Sequence, residues 1–228
     1  MKSVLISIQP KFCELIASGK KTLEVRKTRP KLETPFKVYI YCTLPPKTEL
    51  FTHGYIREYA NELIRLQSGE IVYGYGMQLC VDPKNRPYTK DNFLCRKVIG
   101  EFICDSVNQY STADHVDGVD ISTEDVTRMS CLTKQELEAY EFSAEPKEFS
   151  LYMIGLYCWH ISDLKIYDKS KELSDFRKPF PFHKDCSSCD RGGTSFHPET
   201  CYGCGHFDGI EISRPPQSWC YVEELTWP

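Results

Sequence analysis

The chain has 228 residues, 41% hydrophobic and 26% charged, a balance that supports a packed core and excludes an intrinsically disordered protein. No apolar run is long enough to cross a bilayer, and Pro10 interrupts the opening MKSVLISIQP too early for a signal peptide, so the expectation is a cytoplasmic protein with no membrane partner. A net charge of −4 excludes a generally basic coat for nucleic acid, yet residues 1–48 hold ten basic and three acidic side chains, leaving +7 there and −11 over the rest.

In chain order, Val4–Ile8 reads as a short strand. Pro10 then suits the first turn of a helix, with Phe12, Leu15 and Ile16 at helical spacing and Gly19 as its stop. Residues 22–26 alternate at period two: Leu23 and Val25 face one way, Thr22, Glu24 and Arg26 the other. Val38, Ile40 and Cys42 repeat that pattern in a second strand. Ile56, Tyr59, Ala60, Leu63 and Leu66 make one stripe and predict an amphipathic helix over 55–67. Strands follow at about 71–80 and 97–107, with a Pro/Asn-rich loop at 82–92 between them.

Residues 110–148 carry ten acidic and three basic side chains, and Thr133 with Glu136 forms a capping box that opens a short helix. This stretch reads as an acidic helical insertion outside the main fold, and as a surface for a protein partner. Residues 151–161 are apolar on both faces, as in a central strand. Strands at 163–167 and 219–225 complete the reading. Many short strands with few helices indicate an α+β chain built on a mixed β-barrel, formed by 1–109 and 149–182 with 207–228.

Of twelve cysteines, eight are isolated, several within apolar runs where a thiol is a small core group. The other four form two tight pairs, Cys186-x2-Cys189 and Cys201-x2-Cys204, eleven residues apart. Each two-residue gap lets both thiolates of a turn meet one ion, and two such turns complete a tetrahedron. Residues 183–206 therefore read as a zinc-binding loop. Four sulfurs leave no open coordination position, so the Zn²⁺ is structural.

Gly19-x-Lys21-x-x-Glu24-x-Arg26 sets three charged side chains after the helix stop. On residue types alone, such a run is more often a solvated edge strand than a site. It also resembles the G-x-K-x-x-E-x-R signature of ASCH domains, members of the PUA-like superfamily. Ser7–Pro10, Val98–Phe102 and Gly155–Trp159 resemble that family too, and Arg214–Trp219 is similar to the ending of ASCH proteins from bacteria and their phages. The resemblance leaves the acidic insertion and the cysteine loop unaccounted for.

The resemblance implies a PUA-like β-barrel that binds RNA or a modified nucleoside in a cleft beside Gly19, Lys21, Glu24 and Arg26. Lys21 and Arg26 would donate to phosphate or a base edge, and Glu24 would orient them or accept from a base. Trp219 or Tyr157 would stack a base. Some ASCH proteins are N4-acetylcytidine amidohydrolases, and Lys21 matches their lysine, while Glu24 stands where they have threonine. Others are thought to cleave RNA, for which Lys21 and Glu24 would form an acid/base pair. A zinc-stapled protein–protein adaptor is the remaining alternative.

Overall fold

The computed structural model describes residues 3–43, 62–74, 96–113, 120–143, 155–179 and 210–224. The four zinc-loop cysteines, the 82–92 loop, and residues 55–61 of the expected helix lie outside them.

The first expected strand is the centre of the molecule. β1 (Ser3–Ile8) is buried at every position. It pairs in parallel with β3 (Phe36–Cys42) on one side and antiparallel with β12 (Trp219–Glu224) on the other. The sheet extends through β6 (Val98–Cys104) and β9 (Ser162–Lys171) beyond β3, and through β10 (Phe176–Lys178) and β11 (Ile210–Glu211) beyond β12. Its order is β11-β10-β12-β1-β3-β6-β9.

A second sheet has β8 (Leu156–His160) between β2 (Leu23–Arg26) and β7 (Val107–Tyr110). Val4, Ile6 and Ile8 pack with Trp159 of β8 in a core shared by the two sheets. Leu5, on the opposite face of β1, packs with Phe176 and Val222. Strict alternation thus gives β1 a core on each side.

One bent hairpin joins the sheets. β6 and β9 pair in the large sheet, and the same two chain segments continue as β7 and β8 in the small one. The ladder turns its corner at residues 105–106 and 161. His160 N donates to Ser106 O at 3.0 Å, Ser162 Oγ to Ile103 O at 2.9 Å, and His160 Nδ1 lies 2.7 Å from Asp105 Oδ1. Strands that switch sheets at a corner are how sheets cross steeply while sharing a core. The sheets therefore stay open among the described residues, and the closed barrel expected from strand count is corrected to two sheets joined at a bend.

Gly100 marks where β6 and β9 approach most closely. A Cβ there would run into the Lys165 carbonyl and crowd Ile166. Gly100→Ala is expected to cost about 1–3 kcal/mol by overpacking. A denaturant melt checks it, and an unchanged midpoint would show that the β6–β9 register shift absorbs the methyl group.

α1 (Pro10–Ala17) starts with proline at its first turn, buries Cys13, Ile16 and Ala17, and stops where Gly19 takes φ +77°. The expected helix over 55–67 is corrected at its end. Residues 62–65 are strand β4 (Glu62–Arg65), paired with β5 (Ile71–Gly74) about a turn in which Gly69 has φ +90°. Ile64 is fully buried and Leu66 bridges to Ile166, so period two, not the helical stripe, decides these residues.

The acidic segment folds as two capped helices, α2 (Thr123–Ser130) and α3 (Lys134–Glu141). The Thr133–Glu136 capping box forms as the sequence predicts. The expectation that this segment stands apart from the main fold is corrected. Val126 and Leu137 are fully buried against Leu23, Val25, Leu156 and Cys158, the face of the small sheet turned away from the shared core. Glu141 accepts from Ser111 Oγ and from the Thr112 backbone, tying α3 to the end of β7. No helix among the described residues is long and apolar enough to cross a membrane.

Candidate ligand-binding cleft

The strand that carries the charged signature is buried on both faces. Leu23 and Val25 pack under the helical segment, so period two turns Glu24 and Arg26 toward the space between the sheets. Glu24 sits opposite Trp159 and Arg26 opposite Tyr157 in the β2–β8 ladder. The solvated-edge alternative is therefore overturned: Lys21 is 2% exposed and Glu24 6%.

Glu24 is held between two cations. Its Oε2 lies 3.3 Å from Lys21 Nζ and its Oε1 2.9 Å from Arg26 Nη2. Lys21 Nζ also donates to Leu23 O at 2.8 Å and Ser130 O at 2.9 Å. An ammonium has three protons, and three acceptors surround this one. Arg26 Nη2 reaches Ser7 O at 2.6 Å, and its Nε is buried without an acceptor. Ser7 in turn donates its Oγ to Pro216 O at 2.6 Å, which ties the 215–217 rim to the end of β1.

These residues floor a cleft of about 710 Å³, within the usual range for small-ligand sites. Phe12 and Lys11 come from α1, Pro215–Gln217 from the chain before β12, and Leu132, Glu136 and Tyr140 from the helical segment. Burial raises the Tyr140 hydroxyl above its ordinary pKa, Glu24 adding to the rise and Arg26 opposing it. Glu136 is held below the usual carboxylate range, first by the Thr133 backbone N–H.

Lys21, Glu24 and Arg26 are thus brought together, as the sequence predicts. Three other expected residues are not part of the cleft lining. Gly19 borders a separate hollow of about 410 Å³ with Arg65 and Lys165. Trp219 is half-buried, with its ring 6.0 Å from Trp159 and 5.4 Å from Tyr221, and its Nε1 donates to Thr28 Oγ1. Tyr157 packs against the shared core. Neither ring lines the cleft, because β8 and β12 direct both against the core between the sheets.

The aromatics that do reach the cleft are Phe12 and Tyr140. The sequence assigns Phe12 to a helix stripe and Glu136 to a capping box, and gives neither Glu136 nor Tyr140 a place in a site. Their i, i+4 spacing on α3 was the available signal. Among the described residues, no group of three or more His, Cys, Asp or Glu side chains could hold a metal ion.

No protein-family model matches the chain, and no curated protein matches it. Among solved structures it is similar to the crystal structure of ASCH from Zymomonas mobilis, at 15% identity and a TM-score of 0.45, over 97% of this chain and 87% of that one. Two single-residue variants of that protein give TM-scores of 0.43, also at 15% identity, over 97% and 98% of this chain and 88% and 91% of theirs.

Proposed function

We propose that the cleft binds the base of an RNA nucleotide or of a modified nucleoside. The observation that carries this reading is Glu24, a carboxylate fixed between Lys21 and Arg26 at the floor of a nucleoside-sized cleft. Each of its oxygens spends one lone pair on a cation and keeps another for a donor on a base edge. The resemblance of residues 19–26 to the ASCH signature supports the same reading.

The cations act on this reading chiefly as clamps. Phosphate would have to displace Glu24 from both, so the backbone of a bound RNA is left to the half-exposed Lys11 at the rim. A nucleoside should then bind with little salt dependence, and an oligonucleotide with more. Calorimetric titration of nucleosides and short RNAs tests the reading. Arg26→Ala and Glu24→Gln are each expected to weaken nucleoside binding, Arg26→Ala by about 1–3 kcal/mol. Binding unaltered by either change would remove the cleft from function.

Lys21 is less suited to the amidohydrolase alternative. A nucleophilic amine must shed a proton and turn its lone pair to the substrate, and each of the three protons here has a protein acceptor.

For residues 183–206 the proposal remains one structural Zn²⁺ on Cys186, Cys189, Cys201 and Cys204, resting on their spacing. Elemental analysis of protein purified without added metal is expected to give about one zinc per chain. A disulfide among the four, or substoichiometric zinc, would end that proposal. Chelation should loosen this loop and leave the large sheet, which has its own apolar core, folded.

A further inference from the structure

The helical segment contributes one whole wall of the cleft, and that wall is fixed at both ends. At the α2–α3 turn, Lys21 Nζ donates to Ser130 O and Thr22 N to Met129 O, each at 2.9 Å. At the far end, Lys27 Nζ donates to Ser143 Oγ at 3.0 Å, and Glu141 receives Ser111 Oγ at 2.8 Å. Leu137 anchors the middle, fully buried under the small sheet. Glu136 and Tyr140 stand one helical turn apart and both line the cleft.

The chemistry of the two is complementary. Glu136 Oε2 accepts from Thr133 N at 2.8 Å and Thr133 Oγ1 at 2.9 Å, and Oε1 takes no hydrogen bond among the described residues. A carboxylate held this way offers an acceptor and no donor. Tyr140 offers a ring face and a hydroxyl beside Arg26 and Glu24. The cleft therefore presents two carboxylates, Glu24 and Glu136, to whatever edge enters it.

We propose, resting on the base-binding reading, that this face of α3 is the specificity wall: Glu136 admits a base that bears an exocyclic amino group and rejects one that presents a carbonyl there. Cytosine offers an N–H₂ donor where uracil offers an oxygen, and a carboxylate accepts from the first and repels the second. Tyr140 covers either ring and so sets affinity more than choice. The acidic segment is then the element that decides which nucleoside is taken, and Lys21 positions it while clamping Glu24.

Cytidine and uridine are the matched probes, because they differ only at this group and the ring proton beside it. Calorimetric affinities for both are measured on the full chain, with wild type, Arg26→Ala, Glu136→Gln and Tyr140→Ala. Wild type is expected to favour cytidine by about 5- to 100-fold. Glu136→Gln should bring that ratio close to one, since an amide both donates and accepts, and should keep the melting temperature, since glutamine also serves in a capping box. Tyr140→Ala should weaken both probes and keep their ratio. An unchanged ratio in Glu136→Gln, with Arg26→Ala still weakening binding, overturns the wall and leaves the base-binding reading standing. Failure of wild type to bind either probe, or RNA oligomers of cytidine and uridine, overturns both.

Discussion

Lys21→Met is expected to destabilise the chain by about 3–5 kcal/mol, the range seen when one partner of a buried ion pair is removed. The substitution keeps most of the side-chain volume and strips the ammonium. It leaves Leu23 O, Ser130 O and one Glu24 oxygen buried without their donor. At roughly 2–4 °C per kcal/mol for a chain of this size, the melting temperature should fall by on the order of 10 °C. The loss should also be local at first. Hydrogen exchange over 120–143 should rise before exchange in the large sheet, because Ser130 O is one of the anchors holding the helical segment. Adding Glu24→Gln to Lys21→Met should deepen the loss, because Glu24 is still the counter-ion of Arg26 once Lys21 is gone. Melting at the wild-type temperature would show that Lys21 does not carry the anchoring assigned to it.

Leu137→Ala is expected to cost about 2–5 kcal/mol, as for other buried leucines cut to alanine. Its neighbour supplies the contrast: Glu138→Ala, on the half-exposed side of α3, should stay within about 0.5 kcal/mol. Removing 120–143 altogether should be worse than either, because it exposes Leu23, Val25, Leu156 and Cys158 on a three-stranded sheet. Loss of soluble expression is the expected result of that deletion. A soluble, cooperatively melting deletion variant would show that the small sheet does not need its cover.

Charge counting concealed that cover. Ten acidic side chains over 110–148 mark a solvated surface, and most of these helices' residues do face solvent. The apolar residues, Ile121, Val126, Met129, Leu132, Leu137 and Tyr140, are spread over two short helices and the chain beside them, so no single periodic stripe announces them. By contrast, Pro10 and Gly19 act within one turn of their own position, and the helix between them was legible for that reason. The same locality explains β4. Leu63 and Leu66 satisfy a helical template in isolation, but Ile64 is buried by α1 and β9, partners distant in sequence. Ser68-Gly69 between the short apolar runs at 63–66 and 71–73 was the hairpin signal that outweighs the stripe.

The signature was legible as chemistry and misleading as placement. Period two correctly put Glu24 and Arg26 on one face. That this face looks into a cleft follows from what covers Leu23 and Val25, which is a tertiary fact. Trp219 and Tyr157 were chosen for their rings, yet the bend at 105–106 and 161 brings the sheets together over those rings. Phe12 and Tyr140 line the cleft because the first turn of α1 and the last turn of α3 border it.

The central position of β1 imposes an order on events during synthesis. Its antiparallel neighbour is β12, with Val4 facing Tyr221 and Leu5 facing Cys220. At ribosomal rates of about 5–20 residues per second, the first strand waits on the order of 10–40 s for that neighbour to be made. In the interval the nascent chain holds an apolar strand with an open edge, the kind of surface that chaperones bind. The cleft inherits the delay, because its 215–217 rim arrives only just before β12. A chain stopped short of residue 215 would carry Lys21, Glu24 and Arg26 without their 215–217 rim, so the site is assembled from segments made roughly 190 residues apart.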